Sequence, residues 1–256
     1  MKTHRVTKAL GALACFLLAQ AAAVQAADLK VISTIGVKSF VEELAPQFER
    51  TTGHKLTIKF GTANVLKREI EAGEAFDVAI MTATVADDLI RQGRLVASTR
   101  TDVARGGIGV AVRAGLTKPD ISTVAALKRA LLDAKSITYA KEGASGIYFA
   151  GVIEKWGLTD ALKAKTVLGA GNVGEIAARG EADMAVQLIT ELISVKGLEL
   201  VGPLPAEVQN WVVLTAGVSS NLKEPGPAVD FIKFLTAPAA VPILKSKGLE
   251  PGTAKP

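Results

Sequence analysis

Five short stretches carry most of the side chains that can do chemistry. They are STIGVKS (Ser33–Ser39), GTAN (Gly61–Asn64), TAT (Thr82–Thr84), EGASGIY (Glu142–Tyr148) and GAGNVG (Gly169–Gly174). Each mixes small residues with hydroxyl or amide groups, and each precedes a stretch of helical periodicity. A helix start carries about half a positive charge and several N–H groups without intrahelical acceptors. Brought to one cleft, Ser33, Thr34, Gly36, Thr62, Ala63, Asn64, Thr82, Thr84, Ser145, Gly146 and Ile147 hold an anion without a full counter-charge. The same serines and threonines also serve as ordinary N-caps, so each loop taken alone allows either role.

Charged and larger polar candidates are few. Lys38 lies within STIGVKS, in the first turn of the helix that it opens. Arg105 precedes a glycine-rich strand, and its fork can grip a carboxylate or stay on the surface. Glu191 follows QLIT and either faces a cleft or lies on a solvated helix face. Gln187 lies within a strand pattern, where its amide is satisfied only if that strand ends at a cleft. Tyr148 either offers its hydroxyl to a ligand or packs in the core, and Asn172 and Val173 open the last of the five helices.

Most catalytic templates are missing. His4 lies in an apolar leader and His54 in a TTGHK turn, so no histidine triad or histidine metal cluster is available. The one cysteine, Cys15, also lies in the leader, which leaves no disulfide, thiolate nucleophile or cysteine metal site. GGIGVAV lacks the dinucleotide spacing, and no phosphate loop occurs. No metal and no cofactor is therefore expected. An enzyme built from this chain would work with Tyr148, Lys38 or Glu191 as acid–base groups.

The leader itself is a secretion signal in pattern. Lys2, Arg5 and Lys8 precede the apolar run ALGALACFLLAQAAAV, and Val24-Gln25-Ala26 places small residues where a signal peptidase reads. Cleavage after Ala26 predicts a periplasmic protein without a stable membrane anchor. Lipidation at Cys15 is disfavoured, because Ala12 stands where leucine is usual and strong hydrophobes continue after the cysteine. The leader removes three basic residues and no acids, so 27 basic residues face 25 acidic ones in the mature chain. With no basic run and few aromatics, nucleic-acid binding is excluded. Nothing argues for an oligomer, and a monomer is expected.

The elements that must position the loops alternate. LKVIST, KLTIKF and DVAIMT read as strands, each followed by an amphipathic helix that stops at Gly53, Gly73 or Gly93. GGIGVAVRAG (Gly106–Gly115) breaks the rhythm as a glycine-rich strand. A second series follows, with strands SITYA, TVLGA and MAVQLI between helices over 121–134, 146–156 and 173–179. LELVG and WVVLTAGVS (Trp211–Ser219) read as strands, and helices over 227–235 and 239–247 finish the chain. The mean hydropathy of +0.31 fits fully buried parallel strands. This order predicts an α/β protein of two lobes, each with a mainly parallel sheet flanked by helices and a ligand cleft between them. The expected boundaries are 1–26 for the signal, 27–105 for the first lobe and 106–205 for the second. Residues 206–256 form a crossover strand and C-terminal helices that return to the first lobe.

LKVISTIGVKSFVEELAPQFERTTGHKLTIKFGTAN, AFDVAIMT and ARGEADMAVQ resemble the periplasmic molybdate-type substrate-binding proteins of ABC transporters, in order along nearly the whole mature chain. The resemblance implies a type II periplasmic-binding fold, a small anion in the cleft and an ABC permease as partner. The family's first-loop serine falls on Gly36, its second-loop serine on Ala63 and its cleft tyrosine on Gln187, whereas Asn172-Val173 matches. Those three changes turn the expectation from molybdate toward an organic carboxylate. ASGIYFAGVI, ARGEADMAVQLITEL and LELVGPLPAEVQ are similar to a divergent branch that includes bacterial aconitate isomerase. That branch implies the alternative to a binding protein, a cofactor-free isomerase that moves an allylic proton in a polycarboxylate.

Overall fold

The computed structural model describes residues 26–253, so the secretion-signal reading lies outside the described residues. Strand β1 (Asp28–Thr34) leads through a one-turn 3-10 helix into α1 (Lys38–Thr52), which ends on left-handed Gly53. Then come β2 (Lys55–Gly61), α2 (Ala63–Glu71), β3 (Val78–Thr82) and α3 (Ala83–Arg91). The long β4 (Thr101–Arg113) starts the second series, followed by α4 (Val124–Asp133), β5 (Ile137–Ala140), α5 (Ala144–Lys155) and α6 (Thr159–Lys163). Next are β6 (Thr166–Gly169), α7 (Gly174–Ala178), β7 (Met184–Leu188), α8 (Ile189–Ile193) and β8 (Leu198–Pro203). The chain closes with β9 (Trp211–Val218), α9 (Gly226–Thr236), α10 (Val241–Ser246) and β10 (Leu249–Pro251).

Strands run in the order β2-β1-β3-β9-β4-β7-β5-β6, with β8 and β10 also on β4. Within each lobe the core strands are parallel: β2-β1-β3 in one, β7-β5-β6 in the other. β3 and β7 are buried along nearly their whole length, as their continuous apolar runs require. β4 joins the lobes. Its residues 101–107 pair with β9, and its residues 108–112 pair with β7. At the change of partner, Gln209 clasps Ile108: its amide oxygen accepts from the Ile108 N–H and its amide nitrogen donates to the Ile108 carbonyl, both at 2.9 Å.

The C-terminal helices pack on the first lobe. Phe48 of α1 meets Phe231 and Phe234 of α9 edge-on, with centroids 5.1 and 5.5 Å apart. Three short elements escaped the sequence reading: α6, α8 and β10. The MAVQLI strand stops at Leu188, because Ile189 already begins α8.

Candidate functional site

Parallel strands end at the same edge of their sheet, and this topology gathers the loops. β1, β2 and β3 end at Thr34, Gly61 and Thr82 in one lobe, while β5, β6 and β7 end at Ala140, Gly169 and Leu188 in the other. Their continuations enclose a cavity of about 20 Å³, room for one or two waters. Thr34, Thr62, Ala63 and Thr82 line it from the first lobe, and Gly143, Ser145, Gly171, Gln187 and Glu191 from the second. Val212 and Leu214 of the returning strand β9 line it as well.

The helix starts at this cavity lack side-chain caps. Thr62 is the N-cap of α2 and Thr82 that of α3, yet neither hydroxyl bonds its helix. α5 starts from Gly143, which has no side chain to cap with. Thr34 bonds the Gly36 N–H only at a long 3.5 Å. Away from the cleft the ordinary role holds: the Thr123 hydroxyl accepts from the Ala126 N–H at 3.1 Å and caps α4. The Thr62 hydroxyl is over nine-tenths buried and has no hydrogen-bond partner. Orphan N–H groups and an unpartnered hydroxyl around one small space suit an anion.

The second lobe contributes an acid. Glu191, in the first turn of α8, is 7% exposed. Burial pushes its carboxyl up to about 8, against smaller opposing effects of the Leu188 backbone and the Gln187 amide. At neutral pH the group is therefore mostly an uncharged hydrogen-bond donor and does not repel an anion. Gln187 is fixed at both ends of its amide: it accepts from the Gly174 N–H (3.3 Å) and donates to the Gly171 carbonyl (3.2 Å). The amide is thus satisfied at a strand end. Glu191 is not on a solvated helix face, because α8 follows β7 without a break and turns its first residues inward.

Several expected residues stand elsewhere. Arg105 does grip a carboxylate, but that of Glu250 on β10 (2.5 and 2.9 Å), while stacking on Trp211 at 4.4 Å. The Tyr148 hydroxyl donates to the Val208 carbonyl at 3.1 Å, so it ties α5 to the return connection. Ser33 is buried in β1 and donates to the Thr34 carbonyl, Val173 is core, and Thr84 is exposed. Gly36 packs against Leu188 and Leu214. Gly146 is needed sterically, because a Cβ there would lie 1.8 Å from the Ala140 carbonyl oxygen. Ile147 is half exposed, and its N–H is taken by the Gly143 carbonyl. Lys38 and Asn172 line a larger open space next to the cavity. Asn64 reaches across the cleft and donates to the Glu142 carbonyl at 3.1 Å. Gly143 and Gly171 line the cavity without having been singled out; both lay inside the glycine-rich loops that the sequence offered.

Two α/β lobes, joined through β4 and β9 around an anion-suited cleft, define the type II periplasmic-binding class. The family model described as bacterial extracellular solute-binding protein matches residues 29–250, and the chain belongs to that family. It is 32% identical to an aconitate isomerase of Pseudomonas sp. over 257 aligned positions, covering 98% of each protein. It is 28% identical to the molybdate-binding protein ModA of Azotobacter vinelandii, over 95% of this chain and 96% of that one. The solved periplasmic molybdate-binding protein of Azotobacter vinelandii superposes with a TM-score of 0.74 at 23% identity, over 89% of this chain and 99% of that chain.

Proposed function

We propose that this protein acts in the periplasm on a small organic polycarboxylate bound between its lobes, and that it is an isomerase of the aconitate type. The observation that carries this reading is Glu191, a protonatable carboxyl inside a cavity otherwise built for an anion. A receptor that only holds an anion gains little from a buried acid beside it. A proton-shifting enzyme needs one whose proton affinity lies near the working pH. The similarity to aconitate isomerase along the whole chain supports the same reading.

The chemistry balances without a cofactor. Ionised Glu191 takes a proton from the methylene carbon beside the double bond. The electron pair spreads over the allylic carbons into an adjoining carboxylate, which faces the N–H groups of the helix starts. Glu191 then returns the proton to the far allylic carbon, and the double bond has moved. Thr62 and Ser145 supply hydroxyls to the ligand's oxygens.

One observation favours a second reading, delivery of a carboxylate to an ABC permease. The cavity lies between two lobes joined by the two strands β4 and β9, the hinge on which a shuttling receptor opens and closes around its ligand. Purified protein incubated with trans-aconitate, with cis-aconitate followed by chromatography, separates the two. Turnover that disappears in Glu191→Gln while binding persists supports the isomerase. Thermal stabilisation by aconitate or citrate without turnover overturns it and leaves the receptor. Stabilisation by molybdate or sulfate alone overturns the carboxylate.

A further inference from the structure

A cavity of about 20 Å³ accepts one carboxylate group, not a six-carbon tricarboxylate. Beside it lies an open space of about 540 Å³, a size ordinary for small-molecule sites. Ile35 and Glu191 line both, so the two spaces adjoin at the proposed proton carrier. The larger space is walled by α1 of the first lobe and by α7 and α8 of the second. Lys38 faces it from α1 and Lys196 from the turn after α8.

We propose that this space is a distal subsite of the same ligand, in which Lys38 and Lys196 hold the carboxylates that the inner cavity cannot take. The inference rests on the polycarboxylate reading above. Lys38 is available for the role: its pair with Glu42 is long, at 3.8 Å, and both side chains are half exposed. Such a pair is weak, and a ligand carboxylate competes for the lysine. Glu42 and Glu175 also line the space, so its net charge is balanced. A ligand therefore gains only where its carboxylates meet the lysines and avoid the glutamates. The subsite thus selects the spacing of carboxylates rather than negative charge as such.

The test compares trans-aconitate, with three carboxylates, and crotonate, with one, by calorimetric titration of the purified wild-type, Lys38→Ala and Lys196→Ala proteins. Both lysines are exposed, and melting curves check that the fold persists. The wild type is expected to prefer trans-aconitate, and each variant to cut that preference about tenfold. A wild type that prefers trans-aconitate, with both variants equal to it, overturns the subsite and leaves the proposed function standing. A wild type that binds neither carboxylate overturns both.

Discussion

The Arg68 guanidinium reaches across the cleft to the Glu142 carboxylate at 2.8 Å, and the Asn64 amide bonds the Glu142 carbonyl beside it. Arg68 and Asn64 lie on α2 of the first lobe, and Glu142 immediately precedes the N-cap of α5 in the second. The guanidinium holds the Glu142 carboxyl below the usual range. The latch thus ties α2, through Asn64 in its first turn and Arg68 in its last, to the start of α5. It is solvent-exposed and hence weak, so its effect falls on rates rather than on the fold. Arg68→Ala should speed ligand entry and release, each by about threefold, in stopped-flow mixing. High salt should speed the wild type and leave the variant unchanged. Equal rates and equal salt response in both proteins would remove the latch.

Thr62→Val tests whether the unpartnered hydroxyl belongs to a ligand. The change keeps the shape of the side chain and removes a buried polar atom that bonds nothing. Thermal stability should stay level or rise by about 1 kcal/mol, whereas anion affinity should fall about tenfold. Thr123→Val is the control. It deletes the working cap of α4 and should cost about 1 kcal/mol with no change in binding. A Thr62 variant that loses stability as the Thr123 variant does, with binding intact, assigns the hydroxyl to the scaffold.

The lobes and their loops were legible because parallel strands write themselves as short apolar runs, and the helices after them stop at glycines. Convergence of the loops follows from strand direction alone. Side-chain roles were less legible where the partner is remote. Nothing near Arg105 announces Glu250, 145 residues on, and nothing near Tyr148 announces the Val208 carbonyl, 60 residues on. Glu191 was obscured for a local reason. QLITEL contains no glycine or proline between strand and helix, so the strand MAVQLI reads one residue too far and leaves Glu191 between a cleft and a solvated helix face. Only the turn of α8, five residues long, points it inward.

The clasp of Gln209 on Ile108 predicts a stability effect far from the cavity. The Ile108 N–H has the Gln209 amide oxygen as its acceptor, and Ile108 is fully buried. Gln209→Leu strands that donor and should cost about 1–3 kcal/mol in urea unfolding. The Ile108 carbonyl keeps a partner in the Leu204 N–H at 3.0 Å, so the loss should sit at the lower end. An unchanged unfolding midpoint would show that the clasp contributes nothing.

Glu191 makes stability depend on pH in a direction opposite to that of a salt-bridged acid. Its carboxyl is raised from 4.5 to about 8 in the folded protein by burial. Between those values the folded state keeps a proton that the unfolded state has released, so stability falls as pH rises. The contribution is fully present below pH 4.5, declines through the neutral range and is gone above about 8, a loss on the order of 5 kcal/mol. Glu191→Gln keeps the shape and cannot ionise. Its melting temperature should therefore hold between pH 5 and 9 where the wild type's falls, and the two curves should diverge most at the alkaline end. A bound anion should steepen the wild-type dependence, because a ligand carboxylate beside Glu191 makes its ionisation costlier still. Affinity should fall about tenfold per pH unit above 8 in the wild type and stay level in the variant. Parallel melting curves and parallel affinities would mean that Glu191 keeps an ordinary carboxyl's proton affinity, too low for a base that takes a proton from carbon near neutral pH.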